Sequence, residues 1–333
     1  MPLLVRRAII ATKLEAAEGV DQMAVPGTAD AATQLLVGNP VVTMEAEEIE
    51  RDIVVQHLSH IGMVVGSRWG GISFTTEMRG RAAIPTSAAP LRDNPLLIAC
   101  GLSPTYAAGS AVYKPNTTVA SSAGLSTATI YAFIDGILHP LTGGRGNLQI
   151  NATSGRFGIF NWTFQGIWRK MAGTTAATAG IIDAAMPAAS FDTFGTKPPP
   201  VLGCQFNIHA FSAIVQAVTT DLGNTIEKRD SLTQDNGIAG MLITNRKITG
   251  RVNPEAVLRA SHDFWQRWQD GTTGAADVVV GATAGNIIRL KYPNVQYGKP
   301  GWGDRNGVRT YEIPFMANAN SDAGDDEFEL HFL

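Results

Sequence analysis

Apolar and polar residues alternate along several short stretches of the chain, which is the pattern of half-buried β-strands. Examples are Ile72–Met78, Phe157–Ile167 and Met241–Ile248. Successive side chains of a strand point to opposite faces of a sheet, so a period of two indicates one buried and one solvated face. Glycine and proline clusters separate these stretches, and threonine, valine and isoleucine are frequent. The chain is therefore predicted to be mainly β.

A two-residue turn signal joins two further strands. Asp135-Gly136 lies between strand candidates at residues 129–134 and 137–141, and Asp-Gly is favoured in tight hairpins because both positions take positive φ. Three segments of the second half are predicted as the corresponding strands: Val278–Val280, Ile287–Tyr292 and Val308–Met316.

An Asn-Pro step predicts a helix in each half. Asparagine can cap free amides, and proline suits the first helical position because it has no N–H to leave unpaired. Asn94-Pro95 predicts a short helix over residues 95–100, and Asn253-Pro254 predicts a longer one over residues 254–269.

The two halves carry the same short motifs in the same order, which predicts an internal duplication. The motifs of the first half are Ile49-Glu50-Arg51-Asp52, Ile61-Gly62-Met63, Gly80-Arg81 and Asn94-Pro95. Those of the second half are Ile226-Glu227-Lys228-Arg229-Asp230, Ile238-Ala239-Gly240-Met241, Gly250-Arg251 and Asn253-Pro254.

Composition along the chain divides it into five segments. Residues 1–40, rich in Ala, Gly and Thr, are predicted to form an extended arm, and residues 171–200, which end in three prolines, a linker or long loop. Two denser regions, residues 41–170 and 201–318, are the predicted domains, and residues 319–333 form a C-terminal segment. Each domain is predicted to be a β-sandwich or barrel with one flanking α-helix.

Composition and charge limit the classes of function. Charged residues make up 17% of the 333 residues, below the roughly one quarter usual in soluble domains, which indicates that other subunits cover part of the surface. The formal net charge of −3 is not that of a tight nucleic-acid binder. Cys100 and Cys204 cannot form a disulfide framework, which favours a reducing cytoplasm. Neither a secretion signal nor a membrane span is predicted.

Candidate catalytic and metal-binding residues are few. His57 and His60 stand three residues apart, but no set of Cys, Asp or Glu completes a metal site nearby. The run Gly143–Asn147 lies between strands and opens no helix, so it is interpreted as a turn with one basic side chain. Glu227 and Asp230 adjoin basic residues, as surface ion pairs do. We therefore predict no catalytic, cofactor-binding or metal-binding residues, and no enzyme activity.

Two groups of apolar side chains are candidates for contacts between subunits. Trp265 and Trp268 lie on or near one face of the second predicted helix, where a tryptophan pair is more often core or subunit contact than a base-stacking platform. Acidic and apolar residues alternate over Glu327–Leu333, which is typical of a strand that docks on a sheet edge. The apolar residues of that strand complete this set of candidates: Phe328, Leu330 and Phe332.

A succession of motifs resembles the major tail tube proteins of long-tailed, siphovirus-type bacteriophages. The resemblance is clearest over roughly residues 14–170. It rests on Glu18–Asp21, on Ala31–Val42 running into Thr43–Glu47 and Ile49–Arg51, on Asp93–Leu102, on Asp135-Gly136, on Leu141–Leu148 and on Phe164–Gly166.

The resemblance implies a tail-tube-like β-sandwich or barrel with a flanking helix, assembled as stacked rings around a DNA channel. It supplies no catalytic residues. A polar group in the part of the chain that carries the resemblance is added to the interface candidates: Glu47, Glu48, Glu50 and Arg51.

Geometry relates the duplication to a tube. A domain of about 120 residues is equivalent to a sphere roughly 35 Å in diameter. Three such spheres in a ring leave a central hole about 5 Å in diameter, whereas six leave a hole about 35 Å in diameter. Only the larger hole passes duplex DNA. The resemblance and the duplication together predict a trimeric, pseudo-hexameric ring in the tail of a virion, assembled in the host cytoplasm. The expected partners are other copies of the chain, the tape measure, terminator and distal tail proteins, and double-stranded DNA that passes without specific binding.

Three other classes of protein fit the sequence less well. A tail terminator, distal tail or baseplate protein would keep the virion setting and related domains. A fimbrial or adhesin module would need secretion, and a glycan hydrolase would need paired carboxylates.

Overall fold

The computed structural model describes residues 4, 7–23, 34–120, 126–168, 182–183, 186–188 and 196–333. The described chain is mainly β, as the alternating pattern predicts. The elements up to residue 183 are β1 (Ala8–Leu14), β2 (Gln34–Leu35), β3 (Gly38–Arg51), β4 (Ile61–Glu77), α1 (Asn94–Ala99), β5 (Leu102–Ala107), β6 (Ser110–Pro115), α2 (Thr117–Ala120), β7 (Ala128–Ile134), β8 (Ile137–Thr153), β9 (Ile159–Ile167) and β10 (Ile182–Asp183).

The later elements include a third short helix and ten strands. They are β11 (Gln205–Ile208), β12 (Val215–Asp221), β13 (Asn224–Asp230), β14 (Ile238–Arg246), β15 (Thr249–Pro254), α3 (Phe264–Gln269), β16 (Thr273–Val280), β17 (Ile288–Tyr297), β18 (Gly301–Arg305), β19 (Val308–Ala317) and β20 (Glu329–Phe332).

One strand order occurs twice, always with antiparallel pairing. In the first repeat the strands pair in the order β1–β7–β8–β9–β4–β3. In the second repeat the order is β11–β16–β17–β19–β15–β12. The hairpin β13–β14 extends β12 and β15, so these four strands together match the long pair β3–β4. Helices α1 and α3 occupy the same place in the order, which confirms the fold class and the duplication predicted from the sequence.

The first predicted helix is present, but the asparagine does not cap it. Asp93 occupies the N-cap position without a side-chain cap bond, and Pro95 lies in the first turn. The Asn94 carboxamide oxygen instead accepts hydrogen bonds from the hydroxyls of Tyr106 (3.3 Å) and Tyr113 (2.9 Å). Gly101, at φ +81°, takes the left-handed conformation that ends the helix.

The second predicted helix, residues 254–269, is wrong over most of its length. Asn253 and Pro254 end strand β15, and α3 covers only Phe264–Gln269. The Asn253 side chain accepts from the backbone N–H groups of Gln216 (3.0 Å) and Ala217 (2.8 Å), where β12 bulges. Asp263 is the N-cap instead, since its carboxylate accepts from the N–H of Gln266 at 3.0 Å.

The two repeats join edge to edge. Strand β8 extends beyond the end of its neighbour β7. On the edge that β7 leaves unpaired, residues 149–153 of β8 pair with residues 217–221 of β12. One sheet therefore continues from the first repeat into the second, and one buried core runs from Ile10 in β1 to Phe332 in β20.

The C-terminal strand forms a second joint between the repeats. Strand β20 pairs on one edge with β17 of the second repeat and on the other with β6 of the first half. The predicted docking of this segment on a sheet edge therefore takes place within the same chain. Its apolar side chains, Phe328, Leu330 and Phe332, are all buried there.

The N-terminal segment is only partly as predicted. Residues 8–14 do not form a free arm, because they pair along their whole length with β7 and bury Ile9, Ile10 and Ala11. The predicted linker, residues 171–200, lies mostly outside the described residues. The exact division into arm, domains and linker stays a prediction.

Candidate assembly surfaces

A long hairpin projects from the first repeat. Strand β4 pairs with β9 only from Trp69 onward, whereas its pairing with β3 continues to the Arg51–Ile61 pair. Residues 45–68, named here the hairpin arm, therefore have no sheet neighbour in the described chain beyond their own two strands. Such unpaired edges are typical sites of association with another chain.

The hairpin arm exposes a group of apolar side chains. Val54 and Leu58, in its loop, are fully exposed, at 99% and 102% of their reference areas. An apolar patch of this kind on a soluble protein marks an interaction site. Other exposed or largely exposed apolar residues of the arm are Ile49, Ile53, Val55, Met63, Val64 and Val65.

The polar interface candidates lie on the same arm. All four, namely Glu47, Glu48, Glu50 and Arg51, are exposed. The Glu47 carboxylate accepts a 2.9 Å hydrogen bond from the Ser67 hydroxyl of the paired strand. Their role in subunit contacts stays a prediction, but the structure places them beside the exposed apolar group.

The second hairpin packs on the base of the arm. Arg68 donates two hydrogen bonds to the loop between β13 and β14, both 3.1 Å long. Its backbone N–H donates to the Asn236 carbonyl and its guanidinium donates to the Asp235 carbonyl. The Lys228 ammonium lies 4.4 Å from the centre of the Trp69 ring. These contacts fix the direction in which the arm leaves the body.

An aromatic surface group lies at α3 and β18. Trp265 is half-buried, and its ring centre is 6.3 Å from that of Trp268 and 5.9 Å from that of Trp302. Trp302 stacks on Tyr311 at 4.7 Å and carries the Arg309 guanidinium over its ring. Trp268 and Trp302 remain 37% and 55% exposed, so the predicted tryptophan pair belongs to a larger, partly open group.

The sheet face opposite the core is polar and continuous across both repeats. Cross-strand pairs place its members side by side on β3, β4, β9, β8, β12 and β15. Among its charged members, Arg251 lies 4.0 Å from Glu312 of β19. Its other charged members are the acids Glu45 and Asp221 and the exposed Lys247. The remaining side chains are mostly neutral hydrogen-bonding groups: Thr43, Ser73, Asn161, Thr163, Asn147, Gln149, Asn151, Thr219 and Thr249.

These surfaces and the repeated fold agree with a family comparison. The family model described as phage tail tube protein matches residues 6–317. The chain belongs to the phage tail tube protein family. This confirms the resemblance found in the sequence and makes the chain a structural component of a phage tail. The search of curated proteins found no match.

A buried ionic network holds this tail tube protein together, and the sequence did not reveal it. The run Gly143–Asn147, predicted as a turn, lies inside β8, and Arg145 is fully buried. Its Nε donates to the Met241 carbonyl (2.8 Å) and its Nη1 to the Val119 carbonyl (3.1 Å), so one side chain ties β14 of the second half to the first. A Cβ on Gly146 would lie 2.4 Å from the Phe164 ring, which explains the glycine next to it.

The acids near Arg145 come from the N-terminal segment. The buried Glu15 carboxylate accepts four hydrogen bonds, from the N–H groups of Gly19 and Gly143 and from the hydroxyls of Thr127 and Thr129, at 2.6–2.9 Å. Burial raises the pKa of Glu18, although Arg145 and Arg229 oppose the shift. The motif Glu18–Asp21 therefore serves a structural purpose in this tail tube protein.

A second buried carboxylate reinforces the joint made by β20. Glu329 forms ion pairs with Lys114 of β6 at 2.7 Å and with Lys291 of β17 at 3.1 Å. Burial alone would raise its pKa, but the hydrogen bonds from Lys114, His331 and Lys291 lower it to about 2. The carboxylate therefore stays ionised and connects both halves.

Two buried histidines predict acid sensitivity of the second repeat. His262 stacks on Phe211 (4.7 Å), and burial lowers its pKa to about 4; burial also lowers the pKa of His209, which stacks on Tyr297 (4.2 Å). The unfolded chain protonates these rings near pH 6.5, so their neutral forms stabilise the fold fully above that pH. This stabilisation is lost as the pH falls from about 6.5 toward 4. The free energy of unfolding is expected to fall by on the order of 2 kcal/mol over this range.

Urea unfolding at several pH values measures this loss, with His262→Phe as the comparison variant. Its pH dependence should be shallower than that of the unmodified chain, because phenylalanine keeps the ring stack and does not titrate. Equal slopes for the two proteins would contradict the assignment.

Metal-ion clusters and membrane-spanning helices are absent from the part of the chain that the structure describes. No group of three or more His, Cys, Asp or Glu residues in it is arranged to hold a metal ion. No helix in it is long and apolar enough to cross a bilayer. The histidines His57 and His60 are exposed on the arm.

Proposed function

We propose that the chain forms trimeric rings of six equivalent units, which stack into a tube that conducts genomic DNA. The observation that supports this best is the edge-to-edge joint of the two repeats through β8 and β12. Units of one fold joined by the same side-by-side contact build closed rings when the contact is repeated. A chain that already carries two units needs three copies to supply six.

The strand count gives a channel of suitable width. Along the shared sheet each chain contributes eight strands, in the order β3, β4, β9, β8, β12, β15, β19 and β18. Three chains would give about 24 strands. At roughly 4.8 Å between strands, a barrel of this size is about 37 Å across between backbones without strand tilt and about 48 Å across at a tilt of roughly 40°. Either width accommodates duplex DNA together with the side chains of the barrel that face the channel and a layer of water.

The polar sheet face is the surface we assign to the lumen. Neutral groups such as those of Thr163, Gln149 and Thr219 offer hydrogen bonds to water without a fixed positive charge. Contacts with phosphates accumulate along a tube and would hold the DNA. A lumen with few cations, of which Arg251 faces the acid Glu312, favours passive transport.

The hairpin arm is the proposed contact with neighbouring subunits, with Glu47, Glu48, Glu50 and Arg51 at its polar edge. The aromatic group at Trp265 and Trp268 is a second proposed contact. The tape measure, terminator and distal tail proteins are the proposed partners at the ends of the tube. We propose no catalytic activity, and assembly in the host cytoplasm.

Electron microscopy of the purified protein tests the proposed function. Tubes with three chains per ring and six density lobes around the channel are expected. Six complete chains per ring would overturn the trimer. Isolated rings or monomers at every concentration would overturn the tube and favour a terminator or baseplate role.

A further inference from the structure

Two strands of the shared sheet have an edge without a partner in the described chain. Strand β3 pairs with β4 alone, and β18 pairs with β19 alone. In the eight-strand order given above, these are the two outermost strands. An open sheet edge is a ready template for pairing with another chain.

The internal joint shows which strands would meet. The pair β4–β9 of the first repeat is equivalent to the pair β15–β19 of the second. Strand β3 therefore corresponds to β12, because β3 lies next to β4 and β12 lies next to β15. The outer edge of β12 is covered by the end of β8. Strand β18 corresponds to that end of β8, because β17 and β18 together line β19 as β8 lines β9.

The correspondence can be followed residue by residue. Alternating buried positions align Phe160 and Phe164 of β9 with Tyr311 and Phe315 of β19. Cross-strand pairs then align Gln149, Ile150 and Asn151 with Gly301, Trp302 and Gly303. On the opposite edges of β9 and β19, Ile72 pairs with Phe164 and Gly250 pairs with Phe315, so Ile72 aligns with Gly250. The next pairs outward then align Val41, Val42 and Thr43 with Thr219, Thr220 and Asp221.

We propose that β3 of one subunit pairs antiparallel with β18 of the next, in the register that the internal joint prescribes. This inference rests on the proposed ring. Within the chain the joint pairs Thr219 with Asn151, Thr220 with Ile150 and Asp221 with Gln149. Between chains the equivalent pairs are Val41 with Gly303, Val42 with Trp302 and Thr43 with Gly301.

Exposure agrees with this assignment. Ile150 is 1% exposed under β12, whereas Trp302, at the equivalent position, is 55% exposed. Trp302 stacks on Tyr311 on the core side of its sheet, and the core side of β3 carries the half-buried Val42. The pairing would bring these two apolar side chains into direct contact, which is where an aromatic and a β-branched residue stabilise a sheet. A second copy of the chain therefore supplies the missing cover.

Glycine on the opposite face favours the same pairing. Gly301 and Gly303 carry no side chain on the polar face, so the backbone of a neighbouring strand can approach without obstruction. The facing residues on β3 are the exposed Val41 and Thr43. In this way the polar face would continue from chain to chain around the ring.

Disulfide cross-linking tests the register. The variant Thr43→Cys/Gly301→Cys places its two cysteines on one face of adjacent strands, within the Cα separation that a disulfide spans. A Cβ on Gly301 meets nothing closer than 3.6 Å, so the change is tolerated. Both are introduced with Cys204→Ser, because Cys204 is only half-buried whereas Cys100 is fully buried. Oxidised tubes should give cross-linked dimers and trimers on non-reducing gels, ending at the trimer because the ring closes.

The control variant is Ser73→Cys/Gly301→Cys, which moves one cysteine from β3 to the inner strand β4, so that two strand spacings, roughly 10 Å, separate it from Gly301 in the proposed register. At least a tenfold lower yield of cross-links is expected from it. Equal yields, or no cross-links from the first variant in preparations that contain tubes, would overturn the register and leave the tube intact. If the unmodified chain forms no tubes at all, the proposed function itself fails. Reducing gels confirm that every variant is produced and intact.

Discussion

Replacing the buried arginine, Arg145→Leu, is expected to destabilise the folded chain by about 3–5 kcal/mol. Leucine fills much of the space but donates no hydrogen bond, so the carbonyls of Met241 and Val119 lose their partner. The nearby acids Glu15 and Glu18 lose the cation that offsets their charge. Removing one member of a buried charged group costs more than the group contributes as a whole, because the remaining charges stay buried.

Urea unfolding followed by tryptophan fluorescence measures this loss as a lower transition midpoint. Arg156→Leu is the matched control, since Arg156 is exposed and its replacement should change the free energy of unfolding by less than about 0.5 kcal/mol. A shift of under 1 kcal/mol for Arg145→Leu would show that the network contributes little to the joint between the halves.

The double variant Val54→Asp/Leu58→Asp is expected to abolish tube formation while the chain remains folded. Both side chains are fully exposed in the arm loop, so their replacement removes no contact within the chain. Covering an aspartate in an apolar interface costs several kcal/mol, and every subunit carries two of them. Because each subunit contact is repeated along the filament, the loss per contact should shift the variant to soluble protein.

Sedimentation and electron microscopy distinguish the outcomes, and urea unfolding checks that stability is unchanged. The matched control, Gln56→Asp/Ser59→Asp, adds the same charge to the same loop and keeps its apolar side chains. It should retain tubes, with at most a modest rise in the concentration needed. Normal tubes from Val54→Asp/Leu58→Asp would remove the arm loop from the list of contacts.

Local sequence signals predicted those elements whose determinants lie within a few residues. The hairpin at Asp135-Gly136 is one case, since both residues take positive φ there. The motifs Ile49–Asp52 and Ile226–Asp230 lie at equivalent places, because both mark the end of the first strand of a hairpin. The Gly-Arg and Asn-Pro steps do not correspond in the structure, since Gly250 aligns with Ile72 and not with Gly80. The alternating pattern of Phe157–Ile167 likewise matches β9.

The errors occurred where a distant contact decides the local structure. Asn253-Pro254 has the composition of a helix start, but the Asn253 side chain is occupied by the backbone of β12. The glycines around Arg145 resemble a turn, yet Gly146 is needed by the ring of Phe164, which is close only in the folded sheet. Neither partner can be identified from neighbouring residues.

The candidate contact residues divide in the same way. The pattern over Glu327–Leu333 predicted a docking strand, but not that both of its partner edges belong to the same chain. Exposure leaves the residues of the arm and the tryptophans available to neighbours. The proposed edge pair of Val42 with Trp302 was not among the sequence candidates. Only the strand order of both repeats shows that it is equivalent to the covered pair of Thr220 with Ile150.

The position of β20 has a consequence for biosynthesis. Its partner on the first half, the β5–β6 hairpin, leaves the ribosome long before residues 329–332 are translated, so that hairpin must wait with an open edge. Pairings between such distant parts of a chain form late and slowly. The fold of the subunit is therefore completed only after residues 329–332 have been synthesised and have paired with both β6 and β17.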